Sequence, residues 1–165
     1  MMKHKRLSVF CVVLLLAKLA SAQFFYDTEV KAHDFEGVTV DGQHYRLFDS
    51  EAKNILLCFW SVDCDYCHEF MKLLGKNADL VKDYELVTFA LADKPRQVRK
   101  KVRRWKLQGL HFYDEAGWNS RPFLDYDINT TPTVVLIDKD KNLVGEAYDW
   151  DEFLVLIIGE NTNIE

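Results

Sequence analysis

Cys64 and Cys67 stand two residues apart in the stretch Cys64-Asp65-Tyr66-Cys67, and His68 follows directly. Cys-x-x-Cys-His is the attachment pattern of a c-type haem, and Cys-x-x-Cys behind an apolar strand is a thiol–disulfide pair. A third use of such residues is capture of copper(I) by Cys64, Cys67 and His68 or Met71, because soft sulfur ligands favour that ion. A c-type haem needs two thioether bonds, a proximal histidine and usually a distal Met or His. Met71 lies on the same expected helix as Cys67 and cannot reach round to the distal side. Nothing singles out His111 or another histidine as a further ligand for haem or copper. Thiol exchange needs a nucleophilic cysteine at a helix N-terminus, where unpaired N–H groups and the helix dipole favour a thiolate. A second cysteine one turn later can then attack the mixed disulfide. Cys64 falls at such a strand-to-helix junction, so it reads as the attacking thiol and Cys67 as the resolving one. His68 is then the next helical residue, facing solvent. No metal and no cofactor is expected.

The elements that must hold this pair are read from periodicity. Ile55-Leu56-Leu57-Cys58-Phe59-Trp60 is a continuous apolar run, short enough for a strand buried on both faces. After Cys64 the period changes to that of a helix: Phe70, Leu73, Leu74, Leu80 and Val81 share a face, with a polar break at Asn77. Residues 35–48 read as a hairpin turning at Asp41-Gly42. Leu86 to Leu91 is a second buried strand, and Val98, Val102 and Trp105 mark a helix beginning after Pro95. A short helix is expected around Trp118 to Leu124. Thr133 to Ile137 is a third buried strand. Asp138 to Asn142 turns it into a last strand through Leu143 and Val144, and a helix from Trp150 to Ile158 closes the chain. Strands alternating with helices predict an α/β fold, a mixed sheet covered by helices on both faces. The run from Arg96 to Lys106 holds seven Lys or Arg residues. They fall between Val98, Val102 and Trp105, opposite the apolar side, and read as a solvated face.

Strand, Cys-x-x-Cys, helix and then Asn129-Thr130-Thr131-Pro132-Thr133 resembles the thioredoxin fold. The preceding hairpin and the βαβ insert from Leu86 to Asp127 resemble its TlpA/ResA-like branch, whose members are exported bacterial thiol–disulfide oxidoreductases. The resemblance runs from about Phe35 to Phe153. It implies a thioredoxin-like fold, a mixed central sheet with an N-terminal β-hairpin, and a redox-active disulfide between Cys64 and Cys67. It implies a cis peptide bond before Pro132, a proline lying against the dithiol, and backbone hydrogen bonds from Thr131 to a bound substrate strand. Exported proteins carrying disulfides or thiols are the implied substrates. A membrane or soluble thiol is the implied electron donor, and the bacterial periplasm the implied location. The chain is expected to act as a monomer.

Two departures matter. Thioredoxins proper carry a buried Asp where this chain has Cys58, six residues before Cys64. A thiol, with a reference pKa of about 8.5, is a poor proton relay at neutral pH. Cys58 is expected to be an inert core residue. Asp63 and Asp65 flank Cys64, each costing a thiolate about 0.7–1.4 kcal/mol at roughly 6 Å and an effective dielectric of about 40–80. A helix N-terminus contributes about 0.3–2 kcal/mol in the opposite sense. Cys64 should therefore not be strongly acidified, and the couple should be reducing. Trp60 is expected to pack beneath the motif. A peroxiredoxin-like peroxidase is a rival. Ser61 fits its hydroxyl position, but Leu57 stands where its proline belongs. A non-catalytic thioredoxin-like binding module is the other rival, resting on the missing acid.

The first 22 residues are set apart. Lys3, Lys5 and Arg6 precede an apolar run from Leu7 to Ala17, and Ala20-Ser21-Ala22 is a small-x-small site, the layout of a secretory signal peptide. Lys18 interrupts the run, which is about half the roughly 20 apolar residues a spanning helix needs. Cleavage after Ala22 is expected, leaving residues 23–165 as one thioredoxin-like domain. The leader holds four basic and no acidic residues, so its loss takes the net charge from −5 to −9. Such a balance argues against general nucleic-acid binding, which rests on neutralising phosphates. Cys11 leaves with the leader, so Cys58, Cys64 and Cys67 remain, a pair and one left over, in an oxidising compartment.

Overall fold

A computed structural model describes residues 30–92 and 94–162. The expected leader, residues 1–22, lies outside them. Eleven regular elements follow: β1 (Glu36–Val38), β2 (His44–Arg46), β3 (Asn54–Ser61), α1 (Asp65–Lys76), β4 (Glu85–Leu91), α2 (Pro95–Trp105), β5 (Leu110–Tyr113), α3 (Arg121–Asp125), β6 (Thr133–Asp138), β7 (Leu143–Ala147) and α4 (Trp150–Thr162).

β3, with its six apolar residues Ile55 to Trp60, forms the centre of a five-stranded sheet ordered β5-β4-β3-β6-β7. It pairs parallel with β4 and antiparallel with β6, and β5 joins β4 in parallel. All of its residues but Ser61 are buried. That burial explains the lack of alternation, since both faces of the strand meet side chains from helices or from the hairpin region. Leu56, Cys58 and Trp60 point into a core shared with Phe70, Met71 and Leu74 of α1, Val98 and Val102 of α2, and Phe153 and Ile157 of α4. Ile55, Leu57 and Phe59 point into the opposite core, with Phe123 of α3, Tyr126 and Leu47. Helices thus cover both faces.

The hairpin turns where Asp41-Gly42 signals it, Gly42 taking a φ of +87° that suits glycine. β1 and β2 form a separate two-stranded sheet. The O–H groups of Tyr45 and Ser50 both donate to Glu85 Oε1, at 2.7 and 2.8 Å, fastening this region to the start of β4. α1 ends at Lys76, short of the expected helical face through Leu80 and Val81: the polar position Asn77 terminates it. The backbone N–H and the side-chain Nδ2 of Asn77 both donate to the Leu73 carbonyl, at 3.0 and 2.8 Å, and Ala78–Val81 continues only as a 3-10 turn.

The expectation of a solvated basic face on α2 holds for Arg96, Lys100, Arg103, Arg104 and Lys106, which are exposed, and is corrected for the others. Val98 and Val102 are buried as anticipated, but Arg99 reaches the Val40 carbonyl and Lys101 is partly buried, while the exposed Arg103 lies 3.7 Å from Asp41. Long basic side chains lie along apolar surface with their charged ends at its rim.

Candidate active site

β3 delivers the chain to the carboxyl-end edge of the sheet, where Val62 and Asp63 make the turn into α1. Cys64 is the N-cap of α1, with φ −99° and ψ 115°. Its Sγ accepts a hydrogen bond of 3.0 Å from the Cys67 N–H, so a sulfur takes the place that Ser or Asp usually holds at a helix start. Cys64 and Cys67 form a disulfide, with Cα atoms 5.2 Å apart, inside the normal range. The two sulfurs differ in access: Cys64 is partly exposed and Cys67 is buried. Attack from outside is directed to Cys64.

The second half of the site comes from the register of β6 on β3. Thr133 sits opposite Phe59, which brings the segment before β6 level with the turn into α1. The Thr131–Pro132 peptide is cis, as the resemblance implied. The Thr131 carbonyl oxygen lies 3.5 Å from Cys64 Sγ, where a reduced thiol can donate to it. Pro132 is buried, and Thr133 Oγ1 donates to the Thr130 carbonyl at 2.9 Å across the proline turn. Cys64 thus contacts both Cys67 and Thr131, and Pro132 follows Thr131 in the chain.

Cys58 is fully buried, and burial alone pushes its thiol up to about 12. It belongs to the same core as Cys67 and Trp60. Trp60 is fully buried, its ring edge-on to Trp105 at 5.5 Å. Asp63 and Asp65 are exposed, so their repulsion of a Cys64 thiolate acts through water and sits at the weak end of the expected range. Among the described residues the polar partners of Cys64 Sγ are a backbone N–H and a backbone carbonyl, with no basic side chain.

His68 corrects an expectation. It is only partly exposed: its ring lies 5.5 Å from that of Trp105, and its Nε2 lies 2.7 Å from the Val62 carbonyl and 2.8 Å from Lys101 Nζ. One nitrogen serves one of these partners at a time, donating to Val62 as N–H or accepting from Lys101 through its lone pair. The contact depends on how α1 packs against α2, and no periodicity in the sequence carries it. Among the described residues no three His, Cys, Asp or Glu side chains gather as metal ligands, and no helix is long and apolar enough to cross a membrane.

A family model described as a thioredoxin-like domain matches residues 43–154. No curated protein sequence matches the chain. Among solved structures, the thioredoxin domain of a thiol-disulfide oxidoreductase from Bacteroides vulgatus is similar, with a TM-score of 0.67 and 18% identity, over 84% of this chain and 98% of that one. A thiol-disulfide oxidoreductase from Bacteroides fragilis gives a TM-score of 0.68 at 18% identity, over 82% and 99% of the two chains. A secreted Mycobacterium tuberculosis disulfide oxidoreductase gives 0.65 at 18%, over 76% and 95%. At these identities the likeness speaks for the fold.

Proposed function

The chain belongs to the thioredoxin-like family, and from that premise we propose that it is an exported thiol–disulfide oxidoreductase that reduces disulfides in extracytoplasmic proteins. The observation that carries the reading is the bonded pair at the head of α1, its outer sulfur partly exposed and 3.5 Å from the Thr131 carbonyl. In the reduced protein the Cys64 thiolate attacks one sulfur of a target disulfide. A Cys64–target disulfide forms, the target's S–S bond breaks, and the leaving target thiolate takes up a proton. Cys67, having given its proton to solvent, then attacks Cys64 Sγ. The Cys64–Cys67 bond forms and the target leaves as a dithiol, two electrons richer. A membrane or soluble dithiol donor returns those electrons. The Thr131 carbonyl lies 3.5 Å from the outer sulfur, and in this reading the Thr131 backbone and Pro132 hold an extended target segment against it. Export rests on the leader pattern of residues 1–22. The secreted character named for the Mycobacterium tuberculosis relative agrees with it, and the periplasm is the proposed place of action.

The test is stoichiometric. Reduced protein, freed of reductant, should convert one disulfide of a small disulfide-bonded protein per molecule. Cys64→Ala should lower that rate at least a hundredfold. Cys67→Ala should stop at the mixed disulfide, visible as a covalent adduct on a non-reducing gel. Equal rates for wild type and Cys64→Ala would refute the assignment.

A further inference from the structure

α1 and α2 leave a cleft between them that begins beside the redox pair. One part encloses about 600 Å³ and is lined by His68, Lys72, Lys76, Lys101, Arg104 and Lys106 over a floor of Gly75 and Trp105. A second part, of about 300 Å³, shares Lys101 and Arg104 with the first and runs up to Val62 and Asp63, the residues leading into Cys64. Glu69, 3.8 Å from Lys72, is the one carboxylate lining the larger part. No carboxylate among the described residues lies within 4 Å of Lys76, Lys101, Arg104 or Lys106. The whole chain is acidic, so this concentration of cations runs against its average charge.

The cations are also aligned with the chemistry. Cys64, His68, Lys72 and Lys76 recur every four residues and share one side of α1. At 1.5 Å per residue, Lys76 stands about 18 Å along the helix from the N-cap sulfur. An extended peptide spans that distance in about five or six residues, at roughly 3.3 Å each.

We propose that the cleft between α1 and α2 is a docking site for an acidic segment of the substrate protein, carried within about six residues of the cysteine that Cys64 attacks. The proposal rests on the reading of Cys64 and Cys67 as an exchange pair. A cleft walled by two helices, with Trp105 in its floor, admits side chains, which a flat anionic membrane surface does not supply. Attraction between opposite charges raises encounter rates and fixes register, and it weakens as the Debye length falls from about 10 Å at 0.1 M salt to about 3 Å at 1 M.

The test uses two peptides with the same disulfide, one flanked by five Glu residues and one by five Gln residues. At low ionic strength the reduced protein should reduce the Glu peptide at least tenfold faster, and the ratio should fall towards one in 0.5 M salt. In Lys72→Glu/Arg104→Glu, which alters two exposed side chains, the Glu-to-Gln ratio should drop below one. A ratio near one in the wild type, or one unchanged in the variant, would overturn the proposal while leaving exchange chemistry intact. If neither peptide is reduced, exchange itself fails, and the cleft is judged by anisotropy of a labelled, cysteine-free Glu peptide. Binding weakened at least fivefold in the variant supports the site, and absence of binding overturns it. Charge-dependent binding to phosphatidylserine-containing vesicles with none to the peptide would also overturn it, in favour of a membrane surface.

Discussion

At the residue scale, Cys58 shows how burial separates two kinds of thiol in one core. It sits within the same cluster as Cys67, yet no polar group offsets its desolvation, and its ionisation is pushed from an ordinary value near 9 up to about 12. A folded-state pKa raised above the unfolded one gives stability that is complete below the unfolded value and is lost as pH rises through the folded value. The window here is pH 9 to 12. The difference in unfolding free energy between wild type and Cys58→Ala should hold constant from pH 6 to 8. Above pH 9 it should shrink by up to about 1.4 kcal/mol per pH unit. Urea unfolding of the two proteins across that range reads it directly, and a difference that stays flat to pH 11 would mean the thiol ionises inside the fold. The same burial makes Cys58 inert to iodoacetamide in the native protein. The sequence already made this residue legible as core, because it lies within an unbroken apolar run. His68 was not legible. Its partners, the Val62 carbonyl, Lys101 and the Trp105 ring, come from two other segments, and only tertiary packing puts them around it.

At the scale of elements, the closeness of α1 and α2 is set by Gly75. A Cβ at this position would stand 1.9 Å from the Trp105 carbonyl oxygen, an atom of the backbone that cannot swing aside. Glycine within a helix costs about 1 kcal/mol relative to alanine, so helix propensity alone predicts that Gly75→Ala stabilises the protein. Close packing predicts the reverse, a loss of about 1–3 kcal/mol and a melting temperature lower by several degrees. A thermal melt decides between them, and a rise would mean that the helices stand further apart. Elements built on one strong local pattern were readable in advance. The apolar run of β3, the run of β6 and the turn at Gly42 each carry a signal within a few residues, whereas the helical period runs on past Asn77, where the helix in fact stops. β5 is different. It is four residues long and includes His111, a polar residue only 5% exposed, whose Nδ1 meets Thr88 Oγ1 at 3.0 Å on the neighbouring strand. No local pattern marks it as a strand, and it entered the expectation only through the likeness of the whole insert. The basic residues of α2 were half legible for a related reason: helical spacing places them opposite the core, but not beside α1 or the hairpin.

At the scale of the whole molecule, the redox couple and the fold are linked by a closed cycle. The difference in unfolding free energy between the oxidised and reduced forms equals the difference in reduction free energy between the unfolded and native chains. For this two-electron couple about 30 mV corresponds to about 1.4 kcal/mol. What stabilises the native dithiol is therefore what raises its potential. A Cys64 thiolate gains the Cys67 N–H and the dipole of α1. Against these stand Asp63 and Asp65, while the cations of the cleft between α1 and α2 favour the thiolate only weakly through screening solvent. No basic side chain among the described residues hydrogen-bonds the sulfur, so the reduced form receives no large favour. The native couple should lie nearer the roughly −270 mV of thioredoxin than the roughly −120 mV of a strong oxidant. By the same cycle, the oxidised protein should unfold at higher urea than the reduced protein. A glutathione series fixes the potential, and paired unfolding curves fix the stability difference. A potential above about −150 mV, or a reduced form that outlasts the oxidised one, would mean that the fold stabilises the thiolate after all and drives the pair towards oxidising its targets.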